Sequence, residues 1–348
     1  MDKEKIVMGS KLLTEFPKKI RHPAAKVYPV SRQELVRQED GIPSSHASTV
    51  LPLQDGTVLA AWFGGTGEKD PDVRIWVAKR DVFGIWSRPQ KVTAIENTAH
   101  WNPVLDQKED GTIRLYFKCH PNIPDWKTFY ADSTDGGLTF SQPVELVKGD
   151  ESGGRGPVKD KCIRTSKGLL LAPASTEQNR IFRIFVDISR DDGDTWEKTP
   201  FIDVKNPSGD RVQAIQPTLW EDADGEIHLL CRTKNDGYIY KSDSRDGGFT
   251  WNTAYRIGIY NNFSGIDCCT TEDGSVWLLC NPVKGEYYRS PLRLFVSRDN
   301  GITWLPVIDL ERDPFKEYSY PAIVSQGNRL YCTYTNDRKN ITFAELEL

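Results

Sequence analysis

The chain has 348 residues, a formal net charge of −4, and 38% hydrophobic and 11% aromatic residues. That apolar content fills a core and excludes a disordered chain. The balanced charge, with no basic run, excludes a nucleic-acid partner held by electrostatics. No stretch approaches the roughly 18 apolar residues of a membrane-spanning helix.

The N-terminus opens charged, Met1-Asp2-Lys3-Glu4-Lys5, and no apolar core follows in the first 30 residues. A secretory signal is therefore not expected, and the chain reads as cytoplasmic. Beyond it, short apolar runs alternate with glycine turns. Thr49 to Leu53 precedes Val58 to Phe63, Pro103 to Leu105 precedes Ile113 to Phe117, and Cys162 to Ile163 precedes Leu169 to Leu171. Pro217 to Trp220 then leads into Ile227 to Cys231, Ile266 to Cys269 into Val276 to Cys280, and Pro321 to Val324 into Leu330 to Tyr334.

Between these runs one turn motif recurs: STDGGLTF at Ser133, SRDDGDTW at Ser189, SRDGGFTW at Ser244 and SRDNGITW at Ser297, at steps of 56, 55 and 53 residues. Asp bonds its own backbone, Gly tolerates positive φ, and Thr with an aromatic starts the next strand. Residues 78–87 keep the Asp, a Gly and Trp86, a degenerate copy. Units of about 50 residues with four strands each predict the blades of a closed ring. The expected fold is an all-β, six-bladed β-propeller forming one domain over 1–348. Its blades are expected at about 46–98, 99–152, 153–208, 209–260, 261–312 and 313–348. The last unit lacks its outer strand, which the segment 1–45 supplies, so no edge is left free.

The seven cysteines are odd in number and show no CxxC spacing, and no metal motif or cofactor signature occurs. Buried reduced thiols are expected. Trp86, Trp196, Trp251 and Trp304 belong to the repeated turns and read as packing. Trp62 and Trp101 lie nearer one mouth of the ring and read equally as packing or as a platform for a sugar ring.

In a propeller the start of each inner strand and the loop after the second strand share one face, with the Asp turns on the other. That rule gathers His46, Ser48, Asn102, Lys159, Asp160, Lys161, Gln216, Asn262, Ser264, Asp267, Tyr318 and Tyr320 from the strand starts. Glu68, Asp72, Arg74, Lys118, Glu177, Arg232, Asn281, Arg289 and Arg338 come from the loops. Arg155, Lys159, Lys161, Arg232, Arg289 and Arg338 make this mouth cationic in an acidic chain, which points to an anionic ligand. Individual cations among them are equally explained by pairing with Asp160, Glu177 or Asp267.

The repeated boxes, with HASTVLPLQDGTVLAAWFGG at 46–65, GGRGPVKDK at 153–161, NNFSGID at 261–267, RSPL at 289–292 and YSYPAI at 318–323, resemble the sialidase superfamily in its BNR-repeat branch. The resemblance covers about residues 40–348. It implies arginines that hold a sugar carboxylate, a Tyr nucleophile activated by a Glu, and an Asp acid/base. By blade position Arg232 and Arg289 match the second and third arginines, and Tyr320, ahead of Tyr318, matches the nucleophile. The first blade opens His46-Ala47-Ser48-Thr49 where the family has Arg-Ile-Pro.

Three readings follow. The first is an exo-glycosidase of sialidase type acting on a terminal acidic mono- or oligosaccharide. In it Tyr320 is the nucleophile, Glu177 its base, and Glu68 or Asp72 the acid; Arg232, Arg289 and either Arg155 or Arg338 clamp the carboxylate. Lys159, Gln216, Asn102, Asn262, Ser264 and Tyr318 line the substrate. The second is a uronate lyase in which His46 and a Tyr exchange protons. The third is a non-catalytic propeller that binds acidic glycans.

Overall fold

The computed structural model describes residues 25–92, 95–285 and 289–348. The absence of a signal segment, read from the first 30 residues, falls mostly outside them.

Six four-stranded antiparallel sheets form six blades around a central channel. Blade 1 runs Ser44–Pro52, Val58–Gly65, Arg74–Arg80 and Gln90–Lys91. Blade 2 runs His100–Gln107, Ile113–Cys119, Lys127–Ser133 and Val144–Glu145. Blade 3 has a two-residue inner strand, Ile163–Arg164, then Leu170–Thr176, Arg183–Ser189 and Glu197–Lys198. Blades 4 and 5 begin at Gln213–Glu221 and Asp267–Thr270. Blade 6 runs Tyr318–Gln326, Arg329–Asn336 and Asn340–Glu347. Its outer strand is Tyr28–Glu34, paired antiparallel with the C-terminal strand, so the N-terminal segment closes the ring.

The repeated turns have a common hydrogen-bond pattern. In each, the Ser hydroxyl donates to the Asp two residues on and accepts from a Gly N–H, while the Asp accepts from the backbone and hydroxyl of the Thr. For the third copy these are Ser244 to Asp246 at 2.8 Å, Gly248 to Ser244 at 2.9 Å and the Thr250 N–H to Asp246 at 2.9 Å. Trp196, Trp251 and Trp304 donate their indole N–H to the Gly carbonyl of their own turn. The box carboxylates are thus fully engaged on the face opposite the mouth. For Asp191, burial pushes the carboxyl up, but its Thr195 and Ser189 bonds outweigh this and hold it at about 2.

The inner strands do something the apolar pattern does not reveal. In blades 1, 2, 4 and 6 the pairing register skips two residues at the same level: Ala47-Ser48, Asn102-Pro103, Gln216-Pro217 and Tyr320-Pro321. The first residue of each bulge has positive φ, 53°, 42°, 49° and 51° respectively. Non-glycine residues rarely adopt this region, and surrounding contacts must hold them there. Four bulges at one level re-aim the strands at the mouth.

Trp62 and Trp101 are buried in the packing between blades, which removes them as sugar platforms. All seven cysteines are buried and unpaired. No described helix is long and apolar enough to cross a membrane.

Candidate functional site

The mouth is organised around Arg232, at the end of the second strand of blade 4. It is 3% exposed, so its position is set by packing. Its Nη2 donates to the Gln216 side-chain oxygen at 2.8 Å and to the Tyr320 hydroxyl at 2.9 Å; its Nη1 donates to the Phe263 carbonyl. The guanidinium also lies over the rings of Phe263 and Tyr320, 4.6 and 5.2 Å from their centroids. All these partners are neutral. No carboxylate pairs with Arg232 among the described residues, and its buried Nε has no partner. An uncompensated buried cation is costly unless an anion completes it.

Tyr320 is the meeting point of three blades. Its ring lies 4.3 Å from that of His46, centroid to centroid, and 5.7 Å from the Arg289 guanidinium. His46 is buried, and its Nδ1 has no hydrogen-bond partner. Burial first, then the fields of Arg338, Arg289, Arg232 and Lys159, push its imidazole well below its ordinary pKa, so it is neutral.

Arg289 and Arg338 form a charged chain across blades 5, 6 and 1. Arg289 meets Glu317 at 3.0 Å, Arg338 meets the other Glu317 oxygen at 3.1 Å, and Arg338 pairs with Glu68. The Ser319 hydroxyl adds a 2.6 Å bond to Glu317. Burial raises the Glu317 carboxyl, but Arg289, Ser319 and Arg338 together outweigh this and hold it below its ordinary range. Glu317 is absent from the expected set. The signal that could have found it is its place three residues before Tyr320, in a mouth with too many cations.

Several expected ligands have other duties. Arg155 donates to Asp187 at 2.9 Å and to Asp150 at 2.8 Å, inside blade 3, and its charge is used up there. Lys159 is buried beneath the mouth with all three of its donors engaged. Lys161 is held by both oxygens of Asp267 at 2.9 Å. Asp72 accepts from the Thr66 N–H and hydroxyl at 2.9 and 3.0 Å, closing its own loop. Tyr318 is buried against Tyr334, and burial pushes its phenol up to about 12. Ser264 is fully buried and donates to Asn262 at 2.6 Å, shaping the loop that carries Phe263. Asn102 is buried in the blade 2 bulge.

Glu177 lies after the second strand of blade 3, beside Trp126, Ser175 and Thr176. Burial raises its carboxyl pKa, against the opposing fields of Arg232 and Lys234. No hydrogen bond joins Glu177 to the Tyr320 hydroxyl, and none joins His46 to it either; that hydroxyl's only hydrogen-bond partner among the described residues is Arg232. The other end of the channel holds a cavity of about 280 Å³ lined by Lys161, Ile163, Arg164 and Trp220. Its two cations are paired, Lys161 with Asp267 and Arg164 with Asp106, so it lacks the open charge of the mouth.

Residues 56–332 match the BNR repeat-like domain family. No curated protein matches the chain. Among solved structures it is similar to a protein of unknown function from Dyadobacter fermentans, at 17% identity and TM-score 0.74, over 92% of this chain and 99% of that one. The Hadza microbial sialidase Hz136 is similar at 16% identity and TM-score 0.74, over 89% of this chain and 67% of that one. The Trypanosoma rangeli sialidase, in complex with 2,3-difluorosialic acid as a covalent intermediate, is similar at 16% identity and TM-score 0.71. That match covers 93% of this chain but 59% of the trypanosomal one. Six blades, repeated Asp turns and a family match over most of the length agree: the chain belongs to the BNR repeat-like family and has the six-bladed fold of the sialidases it resembles in structure.

Proposed function

We propose that the mouth processes a terminal acidic sugar as a glycosidase of sialidase type. The observation that carries this reading is Arg232: a buried guanidinium with neutral partners and an unpartnered Nε. A carboxylate supplies the missing charge, and Arg289 is the second cation beside Tyr320.

Tyr320 is the reacting side chain. Its oxygen attacks the anomeric carbon as the bond to the leaving oxygen breaks, and water later releases the sugar from the enzyme. A neutral tyrosine avoids the repulsion that a carboxylate nucleophile meets beside a carboxylated anomeric centre. In this reading the phenolic proton passes to the neutral imidazole of His46, whose ring lies 4.3 Å from that of Tyr320 and whose Nδ1 has no partner. Glu177, held toward its protonated form by burial, donates to the leaving oxygen, since Glu68 is tied to Arg338 and Asp72 to Thr66. The covalent adduct of the trypanosomal sialidase is consistent with this route.

A second reading rests on the same pair. A neutral His46 with its ring tilted against that of Tyr320 also suits removal of a uronate C5 proton, with the sugar carboxylate neutralised by Arg232. The test common to both is calorimetric binding of an acidic monosaccharide and of its methyl ester. Wild type binds the acid and not the ester, and Arg232→Met binds neither. Equal affinity for acid and ester would remove the carboxylate from the account.

A further inference from the structure

Lys159 precedes the short inner strand of blade 3, and its side chain is 2% exposed. An ammonium has three donors. Here they go to Asp160 Oδ1 at 2.5 Å, to the Ile266 carbonyl of blade 5 at 2.9 Å and to the Pro321 carbonyl of blade 6 at 2.6 Å. Nothing remains for a substrate. Two of the three bonds hold backbone across the channel, and one falls on the residue directly after Tyr320.

The packing around Lys159 is equally specific. A Cβ placed on Gly265 would lie 3.0 Å from Lys159 Cε and 3.2 Å from Tyr320 Cα, so the lysine stem, Gly265 and Tyr320 form one tight layer. Two residues beyond Pro321, the Ile323 N–H donates to Asp267 at 2.9 Å, and Lys161 holds that same carboxylate. The strained Tyr320-Pro321 bulge, with φ of 51° at Tyr320, is therefore held at Pro321 by Lys159 directly and just beyond it, at Ile323, by Asp267, which Lys161 anchors.

We infer that Lys159 is a positioning residue for Tyr320: its bonds to the Pro321 and Ile266 carbonyls hold the bulge in its left-handed conformation and set the phenol against Arg232. Asp160 accepts the lysine's third bond and, among the described residues, makes no hydrogen bond to the bulge itself. The inference rests on Tyr320 being the reacting residue for its catalytic consequence, and on the backbone alone for its structural one.

The test combines crystal structures of wild type, Lys159→Met and Asp160→Asn with kinetics on an acidic-sugar substrate. In Lys159→Met, φ at Tyr320 turns negative and its hydroxyl leaves Arg232, while kcat falls about 100-fold with KM little changed, as expected for a misplaced reacting group. Asp160→Asn keeps Tyr320 in place. A Lys159→Met structure with Tyr320 unmoved overturns the inference, and so does an Asp160→Asn structure with Tyr320 displaced to the same degree. Should Lys159→Met not fold, the milder Lys159→Gln takes its place. If neither folds while Asp160→Asn does, the lysine supports the whole ring and the inference fails. A wild type without turnover removes the catalytic reading, and the structures still decide the positional one.

Discussion

Arg232 donates a 2.9 Å hydrogen bond to the hydroxyl of Tyr320, joining blade 4 to blade 6 across the mouth of the channel. The bond holds a charged donor at the phenolic oxygen of Tyr320, which sits in a bulge with positive φ. The same guanidinium makes no ion pair among the described residues and feels Glu177 only as a field, so in the proposed reading one residue both binds an anion and orients the tyrosine.

That double role separates function from stability. Arg232→Met removes an uncompensated buried charge, and replacing buried ionic groups by apolar ones is often neutral or stabilising by about 1–4 kcal/mol. Thermal melting of the ligand-free variant should give a Tm at or above that of wild type, while affinity for an acidic sugar falls at least 100-fold, on the scale of about 3 kcal/mol for a charged hydrogen-bonded contact.

Arg155 should behave in the opposite way. Its partner Asp187 is fully buried, so Arg155→Ala leaves a carboxylate without its cation, at a cost of about 3–5 kcal/mol. Chemical denaturation should show the loss. KM of the folded fraction should stay at the wild-type value, because the guanidinium does not face the mouth.

Glu317 neutralises two arginines at once. Glu317→Gln leaves Arg289 without its counter-ion and Arg338 held by Glu68 alone. Steady-state kinetics should show a lower KM for an acidic sugar, together with a kcat reduced roughly tenfold as the cations lose their orientation. Added salt should raise the variant's KM more steeply than that of wild type.

Acid should destabilise the fold through its buried histidines. Burial pulls His100 from 6.5 down to about 4, despite its bond to the Thr98 carbonyl, and His46 shifts in the same direction. As pH falls through 6.5 the unfolded chain takes up these protons and the native chain does not. The stability held above that value is therefore lost as pH drops toward 4, by ~3 kcal/mol for His100 alone. Urea midpoints should fall between about pH 7.5 and about pH 5, and the His100→Gln variant should lose less over the same interval.

The ring was legible because its signals are local. Asp, Gly and Thr at fixed offsets make a turn whatever surrounds them, and four copies from Ser133 to Ser297 set the period of the blades. The residues of the candidate mouth could be gathered from the sequence by type and blade position, but not their partners. Arg155 and Arg232 look alike in the chain, yet Arg155 finds Asp187 in a neighbouring strand and Arg232 finds only neutral groups. Burial of Tyr318 and exposure of Tyr320 toward the cations follow from a two-residue bulge that no periodicity announces. The recurring Asn102-Pro103, Gln216-Pro217 and Tyr320-Pro321 pairs at equivalent levels were the available sign of it. Glu317 escaped because a single carboxylate in a charged loop has no pattern of its own.

The central claim is that Tyr320 reacts at an acidic sugar held by Arg232. Its most direct measurement is turnover of a panel of sialosides and uronides by wild type and Tyr320→Phe, followed by reducing-end release and by the ultraviolet absorbance of an unsaturated uronate. The account predicts sugar release without new absorbance in wild type, and its loss in Tyr320→Phe with binding of the acidic sugar retained. Release that persists in Tyr320→Phe, or no turnover of any acidic sugar by wild type, would contradict it.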